Sequence, residues 1–100
     1  MTEPAPGLSP DAVVTAARDQ VSADLEGEAV ILNLADGVYY GLDGVGARVW
    51  ELLREPRTAA ELRDTVAAEY EVDPQTAWRD LADLLADLAA RRLVEITPAG

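Results

Sequence analysis

Val21-Ser22-Ala23-Asp24-Leu25-Glu26-Gly27-Glu28-Ala29-Val30-Ile31-Leu32-Asn33-Leu34-Ala35-Asp36-Gly37-Val38-Tyr39-Tyr40-Gly41-Leu42 is the stretch that decides the architecture. β-Branched, aliphatic and aromatic residues dominate it, and two glycine turn signals, Glu26-Gly27 and Asp36-Gly37, cut it at short intervals. From about Val13 to Leu42 this predicts a three-stranded antiparallel meander. A two-residue turn at Glu26-Gly27 puts Val21, Ala23 and Leu25 on one face with Val30 and Leu32, and turns Ser22 and Asp24 the other way. A three-residue loop at Ala35-Asp36-Gly37, with Gly37 left-handed, adds Leu34, Val38, Tyr40 and Leu42 to that face. Ile31, Asn33, Tyr39 and Gly41 are then expected outward. A slip of one residue would exchange the two faces, so the assignment depends wholly on loop length.

Downstream the apolar period lengthens from two toward four. Val45, Val49, Leu52 and Leu53 form one helical stripe, which Pro56 stops. Thr58-Ala59-Ala60-Glu61 is a capping box: the threonine hydroxyl and the glutamate carboxylate each satisfy an orphaned amide, and Leu62, Val66 and Tyr70 follow at helical spacing. Asp73-Pro74 sets an N-cap before a proline at the first helical position, after which Trp78, Leu81, Leu85 and Leu88 recur on one face through to Arg91. Leu93 to Ile96 suit a short terminal strand. Upstream, the prolines at Pro4, Pro6 and Pro10 leave little to pack, so residues 1–12 are expected to be disordered, 13–96 to form the domain, and 97–100 to fray. The fold class predicted is α+β, winged-helix-like: an N-terminal three-stranded meander followed by three α-helices.

One hundred residues, 49% of them hydrophobic, suffice for a single core. All 8 positive side chains are arginines, set against 19 carboxylates for a net charge of −11, and such a surface repels phosphate backbones, so no nucleic acid partner is expected. No cysteine is present, which removes disulfides and thiolate metal sites. Neither a basic-then-apolar leader nor a bilayer-length apolar run is found, so no membrane association is expected and the cytoplasm is the default location.

The absence of histidine removes the usual general base, metal ligand and nucleophile partner together. Ser9 and Ser22, the two serines, lack a nucleophile-elbow context. Gly41-Leu42-Asp43-Gly44-Val45-Gly46 has neither the order of a phosphate-binding loop nor a Walker lysine, and serves better as a turn into the first helix. Asp80, Asp83 and Asp87 share a helix face that reads as solvated rather than metal-binding. Trp50 and Trp78 have core spacing, Trp78 also being placed to meet a partner.

The meander leaves two strand edges. Val38 to Leu42 has no proline, lysine or other charge to block pairing, so it is a template for an extended peptide added through main-chain hydrogen bonds. Pockets for that peptide's side chains are expected between Val38, Tyr40 and Leu42 and the helix residues Trp78, Leu81, Ala82 and Leu85. Cover by a loop or by the N-terminal segment, or dimerisation through this edge, are the competing readings.

The run from Asp36 through Tyr39-Tyr40-Gly41-Leu42-Asp43-Gly44 and Arg48-Val49-Trp50 to Leu53 resembles the PqqD family, especially its lasso-peptide branch. Arg57-Thr58-Ala59-Ala60-Glu61-Leu62, Tyr70-Glu71-Val72-Asp73, Asp80-Leu81 through Leu88, and Arg92-Leu93-Val94-Glu95 extend the likeness in order, over about Val21 to Ile96. The resemblance implies a non-catalytic, cofactor-free recognition element for ribosomally made precursor peptides. Its third strand and third helix would hold the precursor's leader as an added strand, with Val38, Tyr39, Tyr40, Gly41 and Leu42 on the strand side and Trp78, Leu81, Ala82 and Leu85 on the helix side. The partners implied are the leader peptide, a transglutaminase-like cysteine leader peptidase and an ATP-dependent cyclase. Another peptide-modifying enzyme is the alternative partner. A winged-helix DNA binder is the competing class, and the acidic third helix, with Arg79 its only mid-helix cation, argues against it.

Overall fold

Two antiparallel sheets and three helices form the part of the chain that the structure, a computed structural model, describes, residues 8–98. In chain order they are β1 (Val13–Ala16), β2 (Gln20–Leu25), β3 (Glu28–Asn33), β4 (Val38–Asp43), α1 (Gly44–Leu52), β5 (Arg57–Thr58), α2 (Ala59–Tyr70), α3 (Pro74–Ala90) and β6 (Val94–Thr97). One sheet is the meander β2-β3-β4 and the other has the order β5-β1-β6. The α+β class and its three helices are those the sequence predicts.

The turn between β2 and β3 is the two-residue one read from the sequence, with Glu26 at φ 51° and Gly27 at φ 86°, the paired positive values that match the twist of a hairpin. Leu25 faces Glu28 across it. The next turn differs from expectation. Asn33 pairs with Val38, so the loop holds four residues, Leu34 to Gly37, and not three. Its chemistry explains the extra residue. The Ala35 amide donates to the Asn33 side-chain oxygen (2.8 Å), the Gly37 amide to the Asn33 carbonyl (2.8 Å) and the Val38 amide to the Asp36 carboxylate (2.9 Å), with Gly37 left-handed at φ 71°.

That one residue reverses the faces of β2 and β3. Ile31 pairs with Tyr40 and Ala29 with Leu42, and Ala29 and Ile31 are fully buried. Val21, Leu25 and Tyr39 share the opposite, outward face, at 57%, 56% and 68% exposure. Asn33 also points inward, at 3% exposure, and its amide nitrogen donates to the Arg91 carbonyl at 3.1 Å. Tyr40 and Leu42 keep the inward side expected of them.

A second correction concerns the beginning of the chain. Val13 to Ala16 lie outside the meander: β1 pairs with β5 (Val13 with Thr58) and with β6 (Val13 with Thr97, Ala16 with Val94). Of residues 1–12, expected to be disordered, 1–7 lie outside the described residues. Residues 8–12 are tied down: Ala12 is fully buried, and the Ala59 and Ala60 amides donate to the Ala12 and Pro10 carbonyls at 2.9 Å. Thr97 likewise belongs to β6, while residues 99–100 lie outside the described part.

The helices follow their caps. Thr58 and Glu61 exchange both capping-box hydrogen bonds at the start of α2, and the Asp73 carboxylate accepts from the Gln75 and Thr76 amides at the start of α3. At the C-terminus of α3 the Leu93 amide returns to the Leu88 carbonyl and the Arg92 amide to that of Ala89, with Arg92 left-handed at φ 62°. This is a Schellman ending, and it buries Leu93. Ala77, Leu81, Leu85 and Leu88 from α3 join Val49, Trp50, Leu62, Val66 and Ile31 in one core. Burying each large aliphatic side chain of that set stabilises the fold by about 1.5–3 kcal/mol. Among the described residues no helix is long and apolar enough to cross a membrane.

Candidate functional site

The order β2-β3-β4 places β4 at a sheet margin, and among the described residues no strand pairs along its outer side. Alternate amides and carbonyls of Val38 to Asp43 are therefore presented to solvent. A crevice of about 310 Å³ runs beside this edge. Tyr39, Tyr40, Gly41 and Leu42 form its strand wall, Asp87 and Leu88 of α3 with the C-cap Arg91 form its helix wall, and Leu93 closes it. At the other end α1 comes close: a Cβ added to Gly46 would make ordinary contacts with Leu42 at 3.6 Å and Leu84 at 3.8 Å, so strand, α1 and α3 meet there.

The polar groups of the crevice are held in place. The Arg91 guanidinium sits over the Tyr40 ring, 5.1 Å from its centroid, and its Nε donates to both Asp87 oxygens at 3.1 Å. The Tyr40 hydroxyl makes a long 3.5 Å hydrogen bond to Asp36. The Arg91 carbonyl is the group that Asn33 grips from below. Strand, loop and helix end are thus connected through one tyrosine, one arginine and one buried amide.

Of the residues singled out in the sequence, Val38, Tyr39, Tyr40, Gly41 and Leu42 all lie on the open strand. The helix residues distribute differently. Leu81 and Leu85 are core, at 2% and 0% exposure, and Ala82 is half-buried. Trp78 lines a separate hollow of about 530 Å³ with Leu8, Pro10, Arg63 and Pro74, the Arg63 guanidinium lying 5.8 Å from the indole centroid. The wall beside β4 lies nearer the C-terminal end of the helix, where core Leu88 is joined by Asp87 and Arg91, and Leu84 comes near Gly46 of α1 one turn before them. Their spacing of three and four residues was a readable signal for a common face, and Asp87 with Arg91 was a readable i,i+4 ion pair. Asn33 carried no such signal. Among the described residues no cluster of His, Cys, Asp or Glu is arranged to hold a metal ion.

This architecture has close parallels. The family model described as coenzyme PQQ synthesis protein D (PqqD) matches residues 28–94, which span β3, β4, all three helices and the start of β6. The chain belongs to the PqqD family. A solved structure described as TbiB1 in complex with the TbiA(beta) leader peptide is 44% identical over 81% of this chain and 94% of its own, with a TM-score of 0.78. Two more distant structures share the PqqD fold. One is a lasso peptide synthetase B1 complexed with its leader peptide (23% identity, 82% and 96% coverage, TM-score 0.73). The other is the PqqD truncation of Methylobacterium extorquens PqqCD, described as a functional, stand-alone recognition element for ribosomally synthesised and post-translationally modified peptides (24% identity, 83% and 88% coverage, TM-score 0.68). Among curated proteins nothing matches. The PqqD resemblance read from the sequence is thereby established.

Proposed function

We propose that this PqqD-family chain binds the leader segment of a ribosomally synthesised precursor peptide as an extra strand along β4, without chemistry of its own. The observation that carries the reading is the margin of β4, unpaired among the described residues, beside the crevice that Leu88 and Arg91 wall. Main-chain hydrogen bonds along the strand supply affinity that any sequence can draw on, and the crevice selects the side chains at alternate positions. The identity to TbiB1, solved with a leader peptide, supports the same occupant here. In this reading the domain works in the cytoplasm and presents a lasso-type precursor to a cysteine leader peptidase and then to an ATP-dependent cyclase.

The helix side of the proposed site is Asp87, Leu88 and Arg91, which line the crevice, while Trp78 lines another hollow and Leu81 and Leu85 are core. Titration of the labelled protein with a leader peptide, followed through backbone amide chemical shifts, tests this directly. Shifts concentrated on Val38 to Asp43 and residues 87–93 are expected. Shifts centred on β2 or around Trp78 would relocate the site, and no shifts at saturating peptide would dispose of the reading.

A further inference from the structure

Adding a strand through backbone bonds leaves its register open, because sliding the peptide by two residues restores every hydrogen bond and returns the same face to the crevice. Apolar pockets penalise such a slide weakly when neighbouring leader residues are also apolar. A single charge, placed once, penalises it strongly. The crevice contains one cation, Arg91.

Building on the leader-binding reading, we infer that Arg91 is a specificity-determining contact that takes an acidic side chain of the bound peptide and so fixes its register. The geometry points there by what each part of the side chain is already committed to. The Nε is spent on Asp87, and one face of the guanidinium lies on Tyr40. Among the described residues neither Nη makes a hydrogen bond, so the end-on fork, the edge that matches a carboxylate, is left over the crevice. The fork is also held in place: Asn33 fixes the Arg91 backbone, while Asp87 and Tyr40 fix the side chain.

The rest of the molecule sharpens the choice. With 19 carboxylates against 8 arginines the surface disfavours an acidic peptide residue almost everywhere. Of the other arginines, Arg48 and Arg54 already give Nη groups to carboxylates, Arg63 lines the hollow beside Trp78, Arg18 and Arg92 line another, and among the described residues Arg91 alone lines the crevice. A carboxylate on the peptide therefore gains at position 91 and loses at the flanking registers.

A double-mutant cycle tests this with the synthetic TbiA(beta) leader peptide as probe, its affinity read by fluorescence anisotropy. Arg91→Gln is combined with peptides in which each Asp or Glu is changed singly to Asn or Gln. One peptide position is expected to lose roughly tenfold in affinity alone, Arg91→Gln a similar factor, and the pair together no more than either. Raising the salt should shrink that coupling. If Arg91→Gln lowers the melting temperature markedly, Arg91→Lys, which keeps the charge and stem but loses the fork, enters the same cycle with a smaller coupling expected. Additive losses at every acidic position, with Tyr40→Asp still abolishing binding, would overturn the Arg91 assignment and leave the leader-binding reading standing. Failure of the unmodified protein to bind the probe would overturn both.

Discussion

Two arginine guanidiniums lie over aromatic rings along α3, one at each end, and their surroundings are opposite. At the N-terminal end Arg63 of α2 covers the half-buried Trp78, and Leu8 to Pro10 line the same shallow hollow, so the ring is flanked by other segments of the chain. At the C-terminal end Arg91 covers Tyr40, whose strand has no neighbour on its outer side among the described residues. The same pairing therefore serves as a clasp between elements in one place and as the rim of an opening in the other. A tryptophan at helical spacing attracts a functional reading from sequence, yet the less conspicuous tyrosine is the one beside the open strand edge. What separates the two is the hydrogen-bonding state of the adjacent backbone, which residue type does not report.

The sharpest break of this comparison is Tyr40→Asp against Trp78→Ala. Tyr40→Asp should weaken leader binding by at least about thirtyfold, the scale of a binding hot spot near 2 kcal/mol, with the far-ultraviolet circular dichroism unchanged. Equal affinity in Tyr40→Asp and the parent protein would place the opening elsewhere. Next in size is Asn33→Ala. It strands the Arg91 carbonyl and the Ala35 amide and loosens the join between the hairpin and α3, so a stability loss of about 1–3 kcal/mol in chemical denaturation is expected, with weaker peptide binding alongside. Trp78→Ala should cost about 1–2 kcal/mol of stability through lost packing while leaving leader affinity within twofold. A large affinity loss there would restore the Trp78 end as part of the site.

The smallest effect lies away from both ends, where Arg48 of α1 bonds Glu69 of α2 at 2.6 and 2.8 Å. Those hydrogen bonds hold the Glu69 carboxyl below its ordinary value of 4.5 and raise Arg48 further above the range where it would lose its proton. A carboxyl lowered in the folded state adds stability above its unfolded value, and that stability is lost as pH falls through its folded one. Because the pair is exposed, Glu69→Gln should lower the melting temperature only slightly at pH 7. That difference should vanish in acid below the carboxylate range, and peptide binding should not change at either pH.

Local chemistry made the helices legible: a capping box at Thr58, an aspartate before Pro74 and a proline at 56 bracket them closely. It also marked β4, where an uncharged run ends at Asp43. The faces of β2 and β3 were not legible, because they turn on whether the Asn33 to Val38 connection holds three residues or four, and the deciding hydrogen bonds come from the Asn33 side chain. The place of Val13 to Ala16 was hidden for another reason. Its partners are the two-residue β5 and the terminal β6, more than 40 residues away, and no local pattern announces so distant a pairing. On α3 the strongest apolar stripe, Ala77, Leu81, Leu85 and Leu88, belongs to the core. The crevice wall shares Leu88 with that stripe and adds Asp87 and Arg91, which look like ordinary solvated residues until Tyr40 is placed beside them.

The Asn33 amide that fastens the hairpin to the last turn of α3 has a consequence for kinetics. It ties the hairpin to the end of α3, so on the proposed reading docking would demand little rearrangement of the receptor and the ordering cost would fall mainly on the incoming chain. Encounters should then follow a single exponential at rates set by diffusion and charge, and leaders of different sequence should differ chiefly in how long they stay.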